Sequence, residues 1–442
     1  MTTSERAYIW TWLPGAAEPI LAGAAEQLDN RVSFFYSQSY LGRGDAMSLY
    51  TPELPLRRGW IDPKPGLNIA GVLRDGSPDG WGRGIIDYRI GNGLDSLSEI
   101  QYMLESGSNR FGALDFQASA TEYVPRFENA ALGELQEAAE RLQDGMELSP
   151  ALQAALLHGT TIGGARPKAT LIGEDGVQYI AKFSARSDVE FSVVGAEATA
   201  MELARRAGLN VAATHVMTSL GRRVLLVERF DRVGFERRHV VSGLTMVEQD
   251  EMMARYATYP GVMDALRTHF SDDGEELFSR IAFNIAVSNS DDHARNHAAF
   301  WDGHSLSLTP AYDIAPGNRS GETASQAMAY GRDGSRESNF AKLAQHAHEY
   351  GLSRKQARGI IDCIEDTIRS DFNDAADLAE LSSKDRQTMF GRQFLNPGSL
   401  HDYRPVQVGF SRAQPRRPSG RPDGGRFSEH TRPEADTHLP QL

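Results

Sequence analysis

Apolar residues recur along the chain at two spacings, every second position and every third or fourth. The places where one spacing gives way to the other divide the chain into blocks. Up to about residue 145 the runs are short. Val32-Ser33-Phe34-Phe35-Tyr36 and Met47-Ser48-Leu49-Tyr50 read as strands, with turns such as Asp75-Gly76-Ser77-Pro78-Asp79-Gly80 between elements. Gly82 to Tyr88 reads as a helix, and Leu132, Leu135, Ala138, Ala139 and Leu142 fall at helical spacing within 132–148.

The next block starts near 150. Ala169 to Ile172 and Val177 to Phe183 read as strands joined by Gly173-Glu174-Asp175-Gly176. A helix follows over Val194 to Ala207, closed by Gly208, and then strands over Val211 to Thr218 and Arg223 to Phe230. This strand–strand–helix–strand–strand order resembles a small α+β lobe. From about 236 the pattern is mainly helical, with helices over Glu275 to Ser288 and Ser353 to Phe372 and one irregular segment, Asn289 to Ile314. Within that segment Phe300-Trp301, Gly303 and Leu306 to Thr309 read as a hairpin. Ser411 to Leu442 is rich in Arg, Pro, Gly and Asp without periodicity, and reads as a disordered tail.

Composition changes the picture little: 40% hydrophobic and 24% charged residues in 442 exclude collagen-like, wholly disordered and disulfide-scaffold classes. The net charge of −13 gives no general attraction to DNA phosphates, so autonomous DNA binding is not expected. The single cysteine, Cys363, lies in the apolar-periodic stretch Ile360 to Ile364 and reads as a buried structural thiol. No stretch reaches the roughly 20 apolar residues of a membrane helix and none near Met1 looks like a signal-peptide core, so a cytoplasmic protein without membrane contact is expected.

The candidate chemistry lies in Asn289-Ser290-Asp291-Asp292-His293-Ala294-Arg295-Asn296, directly after an apolar helix. Asp291 and Asn296 stand five positions apart, the spacing of base and metal ligand in a kinase catalytic loop, and Asp313 after the hairpin is placed to be a second metal ligand. Oxygen ligands alone suit Mg²⁺. A competing reading takes His293 and His297, four apart, as zinc ligands, but the glutamate a zincin needs after the first histidine is missing. A third reading makes Asp291 and Asp292 caps of turns. Lys182 supports the first: alternation puts it with Ile180 on one strand face, and Glu197 on the following helix can hold it for ATP phosphates. The loop Thr160-Thr161-Ile162-Gly163-Gly164-Ala165-Arg166-Pro167-Lys168 lets backbone approach a phosphate at Gly163 and Gly164 and adds positive charge at Arg166 and Lys168. Glu228-Arg229-Phe230-Asp231-Arg232 ends the last strand, where a hinge offers backbone groups to an adenine edge.

Five motifs in order resemble the HipA family of bacterial toxin kinases. They are Pro78-Asp79-Gly80-Trp81-Gly82-Arg83, Gly163-Gly164-Ala165-Arg166-Pro167-Lys168, Glu228-Arg229-Phe230-Asp231-Arg232, Asp291-Asp292-His293-Ala294-Arg295-Asn296 and Tyr312-Asp313-Ile314. The resemblance runs from about residue 30 to 400. It implies an α+β, two-lobed protein-kinase-like fold with an added N-terminal α/β subdomain, here 1–145. A small lobe over 146–235, a mainly helical large lobe over 236–405 and a tail over 406–442 complete the division.

The resemblance implies Asp291 as base, Asn296 and Asp313 on Mg²⁺, and Lys182 with Glu197, Thr161, Gly163 and Gly164 around the ATP phosphates. Glu228 and Phe230 would meet adenine. The reaction implied is transfer of the ATP γ-phosphoryl group to Ser or Thr of a protein, an aminoacyl-tRNA synthetase or another translation component, with autophosphorylation in the glycine loop at Thr160 or Thr161. The partner implied is a small helix-turn-helix, HipB-like antitoxin, through which any DNA contact runs. A kinase for a small hydroxylated molecule and a pseudokinase acting as a binding module are the alternatives. Asp292 stands where the best-known member has Gly, and the five-residue spacing prefers Asp291 as base.

Overall fold

The computed structural model describes residues 6–91, 97–126, 132–143, 146, 149, 152, 168–173, 176–184, 188 and 191–403. The expected glycine loop, with Thr160, Thr161, Gly163 and Gly164, and the C-terminal tail lie outside the described residues.

Four antiparallel strands open the chain in the order β3-β2-β1-β4: β1 (Arg6–Thr11), β2 (Ile20–Leu28), β3 (Arg31–Tyr36) and β4 (Leu114–Gln117). Only β3 matches an expected strand. Met47 to Tyr50 is no strand: its backbone N–H groups turn to tyrosine hydroxyls, Met47 to Tyr40 (3.3 Å) and Leu49 to Tyr36 (3.0 Å), which leaves no ladder to join. Between β3 and β4 lie the helices α1 (Gly71–Asp75) and α2 (Gly80–Ile90), and α3 (Leu132–Gln143) follows β4. Glu53 caps α1 by accepting from Gly71 (2.8 Å) and Val72 (2.9 Å), and burial pushes its carboxyl up to about 7.

The second sheet has the order β5-β6-β8-β7, from β5 (Lys168–Ile172), β6 (Gln178–Phe183), β7 (Thr214–Ser219) and β8 (Arg222–Glu228). Tyr179, Ala181 and Phe183 are buried on one face of β6, packed with Leu135, Ala139 and Trp81. Trp81 belongs to the Pro-Asp-Gly-Trp-Gly-Arg motif, so that turn into α2 seats the first unit against this sheet. The other face of β6 carries Ile180 and Lys182 toward α4 (Val193–Arg206). A left-handed Gly208 (φ 89°) closes α4, with Leu209 N–H returning to Ala204 C=O (3.1 Å).

After β8 a short hairpin, β9 (Arg232–Val233) with β10 (Glu236–Arg237), leads to the sheet β11-β12-β13. Its strands are Val240–Ser242, Ala298–Trp301 and Leu306–Leu308. The helices α5 (Gly243–Met246), α6 (Tyr259–Thr268), α7 (Gly274–Ala286) and α8 (Arg354–Leu378) form most of the remainder. α7 is buried nearly all round and runs directly into Asn289 to Asn296. α8 buries Ala357, Ile361, Ile364 and Ile368, and Cys363 lies off that stripe and is exposed, contrary to expectation. No described helix is long and apolar enough to cross a membrane.

Candidate active site

The β5–β8 sheet and the loop after α7 bring one set of side chains together. Lys182 Nζ lies 2.5 Å from Glu197 Oε1 and 2.5 Å from Asp313 Oδ1. Burial alone would favour the neutral amine, but the Asp313 and Glu197 carboxylates outweigh it and hold Lys182 above the usual lysine range. Lys182 in turn holds Asp313 well below the usual carboxylate range, while burial pushes Glu197 up. Asp313 adopts φ 60°, a left-handed backbone uncommon for a side-chain-bearing residue and one that active sites tolerate when the surroundings enforce it.

Lys168 stands directly opposite Lys182 in the β5–β6 register, on the same sheet face, and is 7% exposed. Two ammonium groups opposed in this way repel, and burial with that repulsion keeps Lys168 below the usual lysine range against the pull of Asp313. Sequence reading placed Lys168 only as a cation of the glycine loop; strand register makes it a neighbour of Lys182.

The two aspartates of the catalytic-type loop separate sharply. Asp291 is exposed and its carboxylate makes no hydrogen bond among the described residues. Asp292 is 3% exposed and accepts from Tyr259 OH, Asn284 Nδ2 (2.8 Å) and His297 Nε2 (2.7 Å). Among the described residues neither side chain accepts a turn-capping backbone N–H. Asp292 is out of reach of a substrate hydroxyl, which leaves Asp291 as the accessible carboxylate. The competing zinc reading of His293 and His297 gains no further ligand, since among the described residues no group of three or more His, Cys, Asp or Glu could hold a metal ion.

Asn296 closes the short 3₁₀ turn Ala294–Asn296, with its N–H on His293 C=O (2.9 Å), and its side-chain amide makes no bond among the described residues. Tyr312 OH donates to Arg295 C=O (2.8 Å) and so ties the Asp313 segment to this loop. His293 adds to the field that favours the Asp313 carboxylate.

At the end of β8 the motif Glu228-Arg229-Phe230-Asp231-Arg232 divides its work. Asp231 accepts from Arg229 Nη2 (2.7 Å), Arg232 Nη1 (2.9 Å) and Gly112 N–H (2.8 Å), and the two arginines cover the Asn109 and Arg110 carbonyls. The arginines hold the buried Asp231 far below the usual range despite its burial. These three residues lock the strand exit onto the first unit, which sequence reading did not anticipate. Glu228 gives its N–H to Ala213 C=O (2.8 Å), whereas the Phe230 N–H donates to no group among the described residues. The Phe230 ring meets Tyr312 (5.6 Å), Phe111 (5.9 Å) and Phe300 (5.9 Å), an aromatic wall to which the first unit contributes Phe111.

Residues 160–372 match the family model described as the HipA-like C-terminal domain. Among solved structures, the HipA–HipB–operator DNA complex of the Shewanella oneidensis MR-1 toxin–antitoxin system aligns with TM-score 0.65 at 16% identity, covering 87% of this chain and 93% of that one. The proinflammatory kinase CtkA of Helicobacter pylori aligns at TM-score 0.33 and 12% identity over 50% of this chain and 93% of that one. Y4mE of Sinorhizobium fredii, a kinase by name, is 28% identical over 134 residues, which are 27% of this chain and 31% of that protein. The chain thus spans about a third of the curated relative it matches. The fold is α+β and kinase-like, and residues 160–372 are similar to a HipA-like C-terminal domain.

Proposed function

We propose that the chain carrying this HipA-like C-terminal domain is an ATP-dependent kinase that phosphorylates Ser or Thr of a protein. The observation that carries the reading is Lys182 held between Glu197 and Asp313 beside the loop of Asp291 and Asn296. A buried lysine fixed by a helix glutamate and facing a second carboxylate is what an ATP phosphate site needs. In this reading Lys182, joined by Lys168, holds phosphate oxygens, and Asp313 with Asn296 would hold the metal. Asn296 and Asp313 offer only hard oxygen atoms, a donor set that fits Mg²⁺. When bound, Mg²⁺ neutralises charge on the phosphates. Asp291 orients the acceptor hydroxyl and takes its proton. The unspent Phe230 N–H meets the adenine edge against the rings of Phe230, Tyr312 and Phe111.

We further propose a small helix-turn-helix partner, through which the chain reaches DNA. The likeness to HipA in complex with HipB and operator DNA supports this, as does the net charge of −13. Autophosphorylation on Thr160 or Thr161 belongs to the same proposal.

The test incubates the protein with labelled ATP, Mg²⁺ and a bacterial lysate, beside Asp291→Ala. Label on a discrete protein, reduced on the order of 10²-fold or more in the variant, is expected. Label in the small-molecule fraction alone would shift the acceptor class, and equal labelling by both proteins would overturn the role of Asp291.

A further inference from the structure

We propose that Asp292 and His297 form a clasp that sets the separation of Asp291 and Asn296, and that both are positioning residues of the phosphoryl-transfer site; this rests on the kinase reading above. The sequence places them suggestively. Asp292 immediately follows the base and His297 immediately follows the metal ligand, and their side chains meet at 2.7 Å. Joining those two points closes the segment between them into a ring, so neither Asp291 nor Asn296 can drift without breaking the bond.

The clasp is anchored on three sides. Tyr259, in the first turn of α6, and Asn284, in the third turn of α7, give their protons to the same Asp292 oxygen that His297 meets. The Tyr259 ring also packs edge-on against the His297 imidazole at 5.4 Å and 81°. Asn284 Oδ1 accepts from Asn289 Nδ2 at 3.0 Å, and that amide lies 3.5 Å from the Asp313 carbonyl oxygen. The anchor therefore extends from the loop of the base toward the backbone of the second metal ligand.

The floor beneath the ring is equally close. Gly243 N–H donates to His297 C=O at 2.7 Å, and a Cβ on Gly243 would stand 2.5 Å from the Ala294 carbonyl oxygen. Only glycine lets the loop settle there.

A bland alternative is a turn cap, but among the described residues Asp292 accepts no backbone N–H, and its three donors are side chains from well-separated parts of the chain. A carboxylate is costly to bury unless paired. Spending one here is explained when the loop it fixes must hold two reacting-site groups to within a few tenths of an ångström, since a misplacement of about 1 Å can cost on the order of 10²-fold in rate.

The experiment measures phosphoryl transfer to the lysate acceptor for wild type, His297→Ala, His297→Gln, Tyr259→Phe and Asp291→Ala, each with its thermal melt. His297→Ala is expected to lower kcat roughly 10- to 100-fold with a smaller change in KM for ATP, because Lys182 and the hinge hold the nucleotide apart from the clasp, while Asn296 is only one of its contacts through the metal. His297→Gln, whose amide can reach the place of Nε2, should recover to within about fivefold of wild type, and Tyr259→Phe, which removes one of three donors, should fall between. Equal fold losses in His297→Ala and His297→Gln, or a rise in KM with kcat unchanged, would overturn the clasp. A wild type that transfers while His297→Ala matches it overturns the clasp alone. A wild type that transfers nothing removes the kinase reading itself. Should His297→Ala be unfolded at the assay temperature, the comparison of Tyr259→Phe and His297→Gln with wild type decides.

Discussion

Lys182 touches two carboxylates that differ in what they can contribute. The Glu197 side chain is 7% exposed and the Asp313 side chain 38%, although both lie 2.5 Å from the ammonium. Water screens the second pair far more than the first, so its contribution to stability should fall to about 0–1 kcal/mol. Removing the cation is different. Lys182→Met leaves two carboxylates facing one another with Glu197 buried, and breaking a buried pair in this way costs about 3–5 kcal/mol. Against a total of about 5–15 kcal/mol, that is a large fraction, on the order of 10 °C in melting temperature. Asp313→Asn keeps the Lys182–Glu197 bond and places at φ 60° a residue that accepts left-handed backbone readily. It should melt within about 3 °C of wild type. Both variants should lose phosphoryl transfer on the order of 10²-fold or more, since each removes a charge aimed at the phosphates. Calorimetry or circular-dichroism melts, paired with the labelling assay, separate the two. An Asp313→Asn protein that melts as low as Lys182→Met would show that the exposed bond carries the stability. A Lys182→Met protein that melts like wild type would show that Glu197 does not depend on this cation.

Two further outcomes follow from the buried charges away from the site. Asp231→Ala leaves Arg229 and Arg232 buried without their carboxylate and should cost about 3–5 kcal/mol, with Asp231→Asn in between and ADP affinity falling with hinge order; limited proteolysis and melts would show it, and an unchanged melt would refute the lock. His239 and Glu53 should oppose one another in acid. Burial pushes His239 down to about 4, so its contribution is present above about pH 6.5 and is lost as pH falls toward 4. Burial pushes Glu53 up to about 7, so its contribution is present below about pH 4.5 and is lost as pH rises through 7. Each is worth up to about 3 kcal/mol, so wild-type stability should be nearly flat between about pH 4.5 and 6.5. His239→Gln should become relatively more stable toward acid and Glu53→Gln relatively less, and identical slopes for both variants would refute the assignment.

How much of this could be seen in the residues depends on how far apart the interacting partners lie in the chain. The strands β5, β6 and β8 and the helices α4 and α7 follow local periodicity, and they emerged within a residue or two of expectation. β2 did not, because its alanines carry little strand preference; pairing with β1 on one edge and β3 on the other makes it a strand, and Gly23 permits the close approach there, where a Cβ would meet the Phe35 carbonyl at 2.0 Å. The Lys182–Glu197 contact was legible from alternation on a strand and a helix fifteen residues on. The burial of Asp231 was not, since its amide partner Gly112 and the carbonyls that Arg229 and Arg232 cover lie about 120 residues earlier in a loop with no pattern of its own.

The neighbouring aspartates show why spacing alone could not settle the site. Asp291 and Asp292 are chemically identical and adjacent, and nothing local tells which one faces outward. Tyr259, thirty-three residues earlier, and Asn284, on a different helix, decide it by spending one carboxylate on the interior. The same bonds that make Asp292 unfit as a base leave Asp291 no inward partner, so the exposed carboxylate and the buried clasp are one structural decision. A loop whose spacing had arisen from turn capping would show backbone N–H groups on these side chains, and among the described residues neither aspartate accepts one.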